Sequence, residues 1–367
     1  MNTVSESVLP PIDAPEAPSR RFRWWLLLPL VALALAVAGA SFVTVPYYAI
    51  APGSAIDVRP LVDVPDAPEY EPDAGIYLTT VSLRRVTAFG AIEGWLDPQT
   101  DVVEREVIVP PDVGDQELRD FNLELMANSK EKALGVAFEA LGYEDAVSGS
   151  GATIVQIIPG SPADGVVVPG DAIVAIDGAP VTVDYEAVRG LGSHRPGDEV
   201  TITVDPEAGE QRDVTVTLAE NPEVEGKPFL GVSLQTRDLV LDFPFDVELE
   251  SERIGGPSAG LAYALSVIDI LTPGELTGGR SVAVTGTIEL DGTVGEVGGV
   301  VQKTAAVEDA GIHLFLVPRG ELEAARAAAG DDLRVEAVDT LDDALRILAD
   351  VAGGNGLALP AEGAGTA

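Results

Sequence analysis

The stretch IGGPSAGLAYALSVIDIL, residues 254–271, places two glycines, a proline and a serine directly before a long apolar run. Proline is favoured in the first turn of a helix, so the pattern predicts a helix over 257–271 with Ser258 near its start. Backbone N–H groups there lack intrahelical partners, and the helix dipole is positive, so this position can stabilise an oxyanion on a substrate carbonyl. Ser258 is therefore either a helix cap or a nucleophile, and Gly255 and Gly256 would let a substrate backbone approach closely.

A serine nucleophile needs a base, and Lys303 is a candidate 45 residues after Ser258. Lys303 lies in VVQKTAAV, residues 300–307, among valines and alanines. Burial in such surroundings favours the neutral amine, and work near pH 7 requires the pKa to fall about three units from ~10.4. The alternative is a surface lysine whose stem covers apolar neighbours while its amine stays in water.

The composition excludes several classes of site. The formal net charge is −38, so the surface repels nucleic acid. The absence of cysteine excludes disulfides, thiolate nucleophiles and Cys-based zinc sites. The two histidines, His194 and His313, cannot form a multi-histidine metal site, and a Ser-His-Asp triad would have to use one of them. We therefore expect no metal, no cofactor and no nucleic-acid partner.

An uncharged apolar segment near the N-terminus predicts a membrane span at residues 24–45. At ~1.5 Å per helical residue this segment reaches about 33 Å, enough to cross the hydrocarbon layer. Arginines precede the span and the first basic residue after it is Arg59, which predicts a single-pass cell-membrane protein with a cytoplasmic N-terminus and an exported remainder. The alternative is a cleaved signal peptide, because AGA at 38–40 has the small-residue spacing of a cleavage site.

A second motif lies in the middle of the chain. GATIVQIIPGSPADGVVVPGDAIVAIDGAPV, residues 151–181, alternates short apolar strands with Pro-Gly, Ser-Pro and Asp-Gly turns, and RPGDEVTITV follows at 195–204. These residues resemble a bacterial PDZ domain, over about residues 128–220. The resemblance implies a peptide groove, filled by strand addition, beside the helix around Tyr185–Leu191. ALGV at 133–136 is the candidate for the loop that binds a peptide C-terminus, although its surroundings favour a helix.

The C-terminal motifs carry a closer resemblance. GGPSAG at 255–260, LTGGRSVAVTGTIELDGTVGEVGGVVQKTAAV at 276–307 and the spacing from Ser258 to Lys303 resemble the proteolytic domain of the Lon family. The resemblance implies that Ser258 is the nucleophile and Lys303 the general base of a dyad. It implies supporting roles for four further residues, namely Thr285, Gly256, Pro257 and Ala259. Thr285 would orient the lysine amine by a hydrogen bond.

One position departs from the family pattern, because Lon proteases often carry an acidic residue at the place of Gly255. The departure bears on substrate approach rather than on the dyad. The whole chain resembles the membrane-anchored PDZ–Lon proteases of Gram-positive bacteria, which lack an ATPase module. In agreement, the chain contains no G-x-x-x-x-G-K-[ST] phosphate-binding loop.

The predicted fold class is mixed, with α/β and β parts built from six segments. They are a disordered cytoplasmic tail at 1–20, a transmembrane helix at 24–45, a β-rich juxtamembrane region at 46–125, a PDZ-like domain at 128–220, an α/β Lon-type domain at 226–352 and a flexible tail at 353–367. We find no chemistry in the β-rich region. Helices are predicted in the Lon-type domain at 257–271, 299–310, 320–329 and 340–351.

The sequence thus predicts an ATP-independent, membrane-anchored serine endopeptidase that cleaves unfolded or flexible protein segments, with the PDZ-like domain presenting them. Its partners would be polypeptide substrates and the membrane, and the family resemblance implies a homo-oligomer, a hexameric ring. The alternative is a non-catalytic membrane adaptor that binds peptides through its PDZ-like domain. Retention of both Ser258 and Lys303 argues against the adaptor.

Overall fold

A computed structural model describes residues 28, 29, 31, 39, 42–65, 70, 74–109, 114–143, 146–206, 208–222, 224–251 and 254–352. The predicted tails at 1–20 and 353–367, and most of the predicted span at 24–45, lie outside these residues. Among the residues with described positions, no helix combines the length and apolarity that a bilayer crossing requires. The last two residues of the predicted span, Thr44 and Val45, begin a strand instead.

The larger sheet has six strands and is mixed. In spatial order they are β20 (Arg334–Val338), β19 (Leu314–Pro318), β16 (Val282–Val284), β3 (Ile76–Thr87), β1 (Thr44–Asp57) and β4 (Asp101–Glu104). Strands β20, β19, β16 and β3 are parallel neighbours, whereas β1 is antiparallel to both β3 and β4. The sheet therefore joins strands from the two ends of the described chain.

The prediction of a separate β-rich region at 46–125 is wrong. Strand β3 pairs with β16, and Ile76 and Leu78 of β3 are buried in the same core as Leu261 and Val284. β16 is only three residues long and fully buried, so it needs a hydrogen-bonded strand on each side to satisfy its backbone. Propensity and periodicity act within one segment and give no signal for pairing between strands about 200 residues apart.

A long helix, α3 (Asp115–Ala140), packs against the helix that follows Ser258, α5 (Gly260–Leu271). The predicted ALGV loop at 133–136 lies inside α3, where its residues are buried with α5 in one core. This stretch is therefore not a peptide-binding loop. The second half of α3 lies within the segment predicted to be PDZ-like, but it contributes to the core of the C-terminal domain.

The second sheet forms the centre of the PDZ-like part. Its strands are β6 (Ala152–Ile157), β7 (Ala172–Ile176), β8 (Ala179–Pro180), β9 (Glu199–Asp205), β10 (Arg212–Thr217) and β13 (Val232–Thr236). Strand β13 lies at the edge, hydrogen-bonded to β6, although the sequence assigned it to the C-terminal domain at 226–352. That assignment is wrong for β13, which packs Val232 and Leu234 against the PDZ-like core.

The PDZ-like sheet is inserted into the larger domain. The chain leaves α3 through β5 (Val147–Ser148) and returns through β14 (Val240–Leu241), and these two short strands pair with each other. The helix of this part is α4 (Asp184–Gly192). The entry and exit strands thus fix the inserted sheet beside the helix that carries it.

The remaining elements surround the larger sheet. Its C-terminal helices are α6 (Val300–Asp309), α7 (Leu322–Ala328) and α8 (Leu341–Ala352), so with α5 all four predicted helices occur within three residues of their predicted ends. A hairpin of β17 (Thr287–Ile288) and β18 (Val294–Gly295) follows β16. The other short elements are α1 (Ala88–Leu96), α2 (Arg105–Ile108), β2 (Val62–Asp63), β11 (Ala219–Glu220), β12 (Pro228–Phe229) and β15 (Glu248–Leu249).

Candidate active site

Ser258 lies in a single 3₁₀ turn, Pro257–Ala259, that leads directly into α5. The helix therefore begins in a tighter turn than predicted, because the chain enters through Gly256 at φ 89°, in the left-handed region. The Gly256 N–H donates to the Asn122 carbonyl of α3 at 2.7 Å. The turn that holds Ser258 is thus fixed against a helix from the N-terminal half of the chain.

The departure at Gly255 has a physical reason in this structure. A Cβ added at Gly255 would lie 3.0 Å from the Cβ of Asn122 and 3.3 Å from its main chain. These distances are shorter than ordinary van der Waals contacts, so α3 leaves little room for the acidic side chain that Lon proteases often carry there. Asn122 itself lines the cavity beside Ser258.

Lys303 is on the first turn of α6 and is only 2% exposed. Its Nζ donates to Oγ1 of Thr285 at 3.0 Å. Burial lowers the pKa of Lys303 to about 8, and the nearby carboxylate of Glu321 opposes part of that change. The prediction of a lysine in dry surroundings is therefore confirmed, with a smaller fall than the three units considered from the sequence.

Thr285 links the two candidate residues of the dyad. It is fully buried immediately after β16, where it accepts the hydrogen bond from Lys303. Its own hydroxyl donates to the main-chain carbonyl of Ser258 at 3.4 Å, and the Gly286 N–H donates to the same carbonyl at 3.1 Å. The end of β16 thus holds the lysine amine and the turn of Ser258 in one hydrogen-bonded group.

A cavity of about 520 Å³ brings most of the predicted site residues together. Ser258 and Lys303 both line it, with the predicted supporting residues Gly256, Pro257 and Ala259, whereas Thr285 is not among the lining residues. The sequence missed the lining residues that other parts of the chain contribute. Those with polar side chains are Thr79 and Thr80 of β3, Asn122 of α3, Thr287 of β17 and Glu296 of the loop before α6.

The N-terminal strands, in which the sequence shows no chemistry, contribute Thr79 to the wall of this cavity. Its side chain is buried, and its hydroxyl has no hydrogen-bond partner among the described residues. A buried hydroxyl without a partner is costly, and this one belongs to the cavity wall. No sequence signal marks it, since IYLTTVSL is an ordinary strand pattern.

Glu321 holds the loop on the far side of the cavity. Its Oε1 accepts a hydrogen bond from the Val297 N–H at 2.7 Å, and Val297 lines the cavity. Burial raises the pKa of Glu321, while the interactions with Val297 and Lys303 act in the opposite direction. Its other oxygen, Oε2, is buried with no partner among the described residues.

The histidine alternative finds no support in this geometry. His194 is in the PDZ-like part, where Nε2 lies 2.8 Å from Oδ2 of Asp177. His313 is exposed just before β19, with Nδ1 3.3 Å from the Asp332 carbonyl. Neither histidine lines the cavity of Ser258. Among the described residues that line this cavity, Lys303 has the one basic side chain.

A second cavity, of about 470 Å³, lies between α4 and the edge strand β13. We call it the PDZ groove. Tyr185 and Val188 of the predicted helix line one side, and Val232 and Leu234 of β13 line the other. The sequence missed β13 as the groove strand. FLGV at 229–232 was the available signal, because it repeats the LGV triplet found in ALGV.

Glycine is required at the start of β13. Gly231 has φ 83°, and an added Cβ would lie 2.1 Å from the Cβ of Ser161. Its carbonyl accepts hydrogen bonds from the Ile158 N–H at 2.9 Å and the Ser161 hydroxyl at 3.3 Å. The loop that leads into the groove strand is therefore closely packed. On the other side of the groove, the Tyr185 hydroxyl donates to Glu139 of α3 at 2.6 Å, which anchors α4.

Comparison with protein families defines the class of both parts. Residues 132–218 match the family model described as PDZ domain, and residues 253–350 match the Lon protease (S16) C-terminal proteolytic domain. The chain is thus mixed α/β with a PDZ domain and a Lon-type proteolytic domain, and the second match supports a serine peptidase. The matched segment contributes β16, β19 and β20 to the larger sheet, whereas β1, β3 and β4 lie outside it.

The curated relatives each align with a quarter of this chain or less. The Lon protease of Campylobacter concisus is 38% identical over 95 residues, which is 25% of this chain and 12% of that protein. The Lon protease of Haemophilus influenzae is 36% identical over 93 residues, covering 24% and 11%. That of Clostridioides difficile is 47% identical over 64 residues, covering 17% and 8%. The chain therefore aligns with about an eighth or less of these curated relatives.

Among solved structures, the chain is similar to the PDZ domain of an SdrC-like protein from Listeria monocytogenes. The sequence identity is 24%, the TM-score is 0.21, and the match covers 23% of this chain and 87% of that one.

Proposed function

We propose that this protein is a serine endopeptidase in which Ser258 is the nucleophile and Lys303 the general base. The single observation that carries the proposal is the buried amine of Lys303, which donates to Thr285 and lines the same cavity as Ser258. An amine removed from water loses its proton more easily, so it can accept one from a serine hydroxyl.

The reaction follows from these positions. Neutral Lys303 takes the proton of the Ser258 hydroxyl as Oγ attacks a peptide carbonyl, and a tetrahedral intermediate forms. Backbone N–H groups in the turn at 257–259 stabilise its oxyanion. The protonated amine then gives its proton to the leaving amine, and water releases the acyl group by the reverse sequence. With a pKa of about 8, about one Lys303 in ten is neutral at pH 7.

The proposed substrates are unfolded or flexible polypeptide segments, cleaved without ATP. The given sequence contains no phosphate-binding loop motif, which supports a preference for substrates that are already extended. The PDZ groove would present them by strand addition to the free edge of β13. The unpartnered hydroxyl of Thr79 is available to bind the substrate near Ser258.

We further propose that residues 24–45 anchor the protein in the cell membrane, with the catalytic domain outside the cytoplasm. An apolar surface on α1 supports this placement, because Trp95 and Leu96 are 61% and 80% exposed. The N-terminus of α1 is tied to the end of the predicted span, since Ala88 N–H donates to the Val43 carbonyl at 2.8 Å. Carbonate extraction of membranes and protease protection of intact cells test the anchor and its orientation.

The catalytic proposal is tested with detergent-solubilised protein of full length. Wild type should cleave casein and bind a fluorophosphonate probe at Ser258, whereas Ser258→Ala and Lys303→Met should do neither. Equal casein cleavage by all three proteins would refute the dyad. Peptide binding by wild type without any cleavage or labelling would favour the adaptor function instead.

A homo-oligomeric ring is proposed from the Lon resemblance. Its test is the molar mass of the detergent-solubilised protein by light scattering, after subtraction of the detergent. A mass of six chains is expected, and a monomer with full activity would contradict it.

A further inference from the structure

One face of helix α3 runs from the candidate active site to the PDZ groove. Asn122 lines the cavity of Ser258, Leu125 and Ser129 line a middle cavity of about 460 Å³, and Lys132 lines both the middle cavity and the PDZ groove. Their spacing places these residues on one side of the helix, because positions three and four apart share a face. A single helix therefore forms a continuous wall along three cavities.

The hairpin that begins with β17 forms a second wall beside α3, and its residues follow the same order. Thr287 lines the cavity of Ser258 and the middle cavity, and Ile288 lines the middle cavity. Glu289 and Leu290 line the middle cavity and the PDZ groove, and Asp291 lines the PDZ groove. Two elements distant in sequence thus run side by side from one site to the other.

Neighbouring cavities share lining residues. Pro257, the neighbour of Ser258, and Thr287 belong to both the cavity of Ser258 and the middle cavity. Gln235 of β13 and Leu239 belong to both the middle cavity and the PDZ groove. The three cavities therefore adjoin one another along α3, and we call the path that they outline the α3 channel.

An ion pair crosses the α3 channel at its outer junction. Lys132 of α3 pairs with Glu289 of the hairpin, and both side chains are partly exposed. Water and salt screen an exposed ion pair, which therefore adds little stability, so a bound chain can displace this one without a large penalty. The pair therefore leaves the α3 channel open to a ligand that follows the groove.

We propose that one extended polypeptide fills the α3 channel, with one part held in the PDZ groove and another at Ser258. The inference rests on the proposed peptidase function and adds a geometric rule to it. Asn122 and Lys132 are ten residues apart on a helix, or about 15 Å. An extended chain covers that distance with about five residues, so the bond that is cut lies about five residues or slightly more from the segment held against β13.

An extended polypeptide is the occupant that both ends of the α3 channel require. The outer end offers the free edge of β13 beside the exposed Val188 of α4, the arrangement for strand addition. The inner end is the candidate site for peptide cleavage. The middle section is lined by Leu125, Leu239 and Leu290, which accept apolar side chains of variable sequence.

The experiment uses the full chain in detergent and nested peptides around a bond that wild type cuts in casein. Each peptide extends the bond by one more residue toward one end. We expect kcat/KM to rise at least tenfold when the arm on one side passes about five residues, and to stay flat on the other side. Smooth or absent dependence on length would overturn the α3 channel while leaving the peptidase intact.

Variants test which part of the α3 channel causes the rise in kcat/KM with peptide length. Leu290→Arg, in the middle section, and Val188→Arg, in the PDZ groove, should abolish the rise in kcat/KM, so that long peptides are cleaved no faster than the shortest one. A cooperative thermal unfolding transition shows that each variant is folded. Val168→Arg is the matched control, since Val168 is equally exposed in the PDZ-like part and lines none of the three cavities. Long and short peptides cleaved by Leu290→Arg at wild-type rates would overturn the proposal. A wild type that cuts no peptide would overturn the peptidase and the α3 channel together.

Discussion

The cavity of Ser258 and the PDZ groove are similar in volume but differ in what their walls can do. In the first, Lys303 is 2% exposed and its amine has a fixed partner in Thr285. In the second, the wall is an edge strand and a helix whose Val188 is 57% exposed. The wall of the Ser258 cavity holds the Lys303 amine in one position. The wall of the PDZ groove presents backbone groups and apolar surface that can bind peptides of many sequences.

The contrast shows where each part can tolerate change. Burial of an ionisable amine costs stability, and groups with strongly perturbed pKa values cluster at functional sites. The edge of β13 costs little, because its free N–H and C=O groups remain available to water until a peptide binds. We therefore expect sharp effects from substitutions in the cavity and graded effects in the groove.

The largest effect should come from Ser258→Ala. Without the hydroxyl no acyl-enzyme can form, so casein cleavage should fall at least ~1,000-fold, as for other serine peptidases that lose the nucleophile. Binding of a cleavage-site peptide, measured by fluorescence anisotropy, should be unchanged because the PDZ groove is untouched. Residual cleavage above a few per cent of wild type would contradict the role of Ser258.

Lys303→Met should stabilise the protein while it removes the base. The pKa of Lys303 is about 8 in the folded protein against an ordinary value of 10.5, so the unfolded chain binds the proton more tightly. Burial of the protonated amine lowers the free energy of unfolding by about 3 kcal/mol. This destabilisation is fully present below pH 8 and is lost as the pH rises from 8 toward 10.5. In urea unfolding, the free energy of unfolding of Lys303→Met should exceed that of wild type by this amount at pH 7 and by less at pH 10. Equal free energies of unfolding for wild type and Lys303→Met at pH 7 would mean that water hydrates the Lys303 amine.

Gly231→Ala should damage the groove without touching the cavity. The added Cβ overlaps Ser161 and the φ of 83° is unfavourable for alanine, so the loop before β13 must move. We expect peptide affinity to fall tenfold or more, with cleavage of the shortest substrates retained. Gly226→Ala is the control for φ, since Gly226 has φ 76° with open space around it.

The pH profile separates the two regions by a different measurement. Cleavage depends on neutral Lys303, so kcat/KM should rise about tenfold between pH 7 and pH 9, through an apparent pKa of about 8. Peptide binding to the PDZ groove should not follow that curve. A flat cleavage profile across this range would remove Lys303 from the role of base.

The smallest effect is expected from Glu321→Gln. Glu321 raises the pKa of Lys303, so loss of its charge should lower that pKa and shift the rising limb of the profile to lower pH. The expected gain at pH 7 is about threefold or less. Glu323→Gln is the matched control, because Glu323 is exposed on α7. A shift to higher pH would show that Glu321 acts mainly through Val297 and its loop.

Local patterns made much of the C-terminal domain predictable. The four helices after residue 256 carry proline, glycine and apolar spacing that act within a single segment, and the structure has all four. The burial of Lys303 was predictable for the same reason, since VVQKTAAV surrounds it with apolar side chains. The walls opposite these residues were not predictable, because Thr79 and Asn122 belong to segments with ordinary strand and helix patterns.

The sequence by itself determined the helix that follows Ser258, the dry surroundings of Lys303 and the turns of the PDZ-like strands. These depend on steric preferences and side-chain burial over a few neighbouring residues. Only the tertiary structure decided that β1, β3 and β4 complete the larger sheet, that β13 forms the edge of the PDZ groove, and that α3 connects the two cavities. Strand pairing and helix packing depend on which distant surfaces fit together, and the periodicity of a single segment does not specify its distant partner.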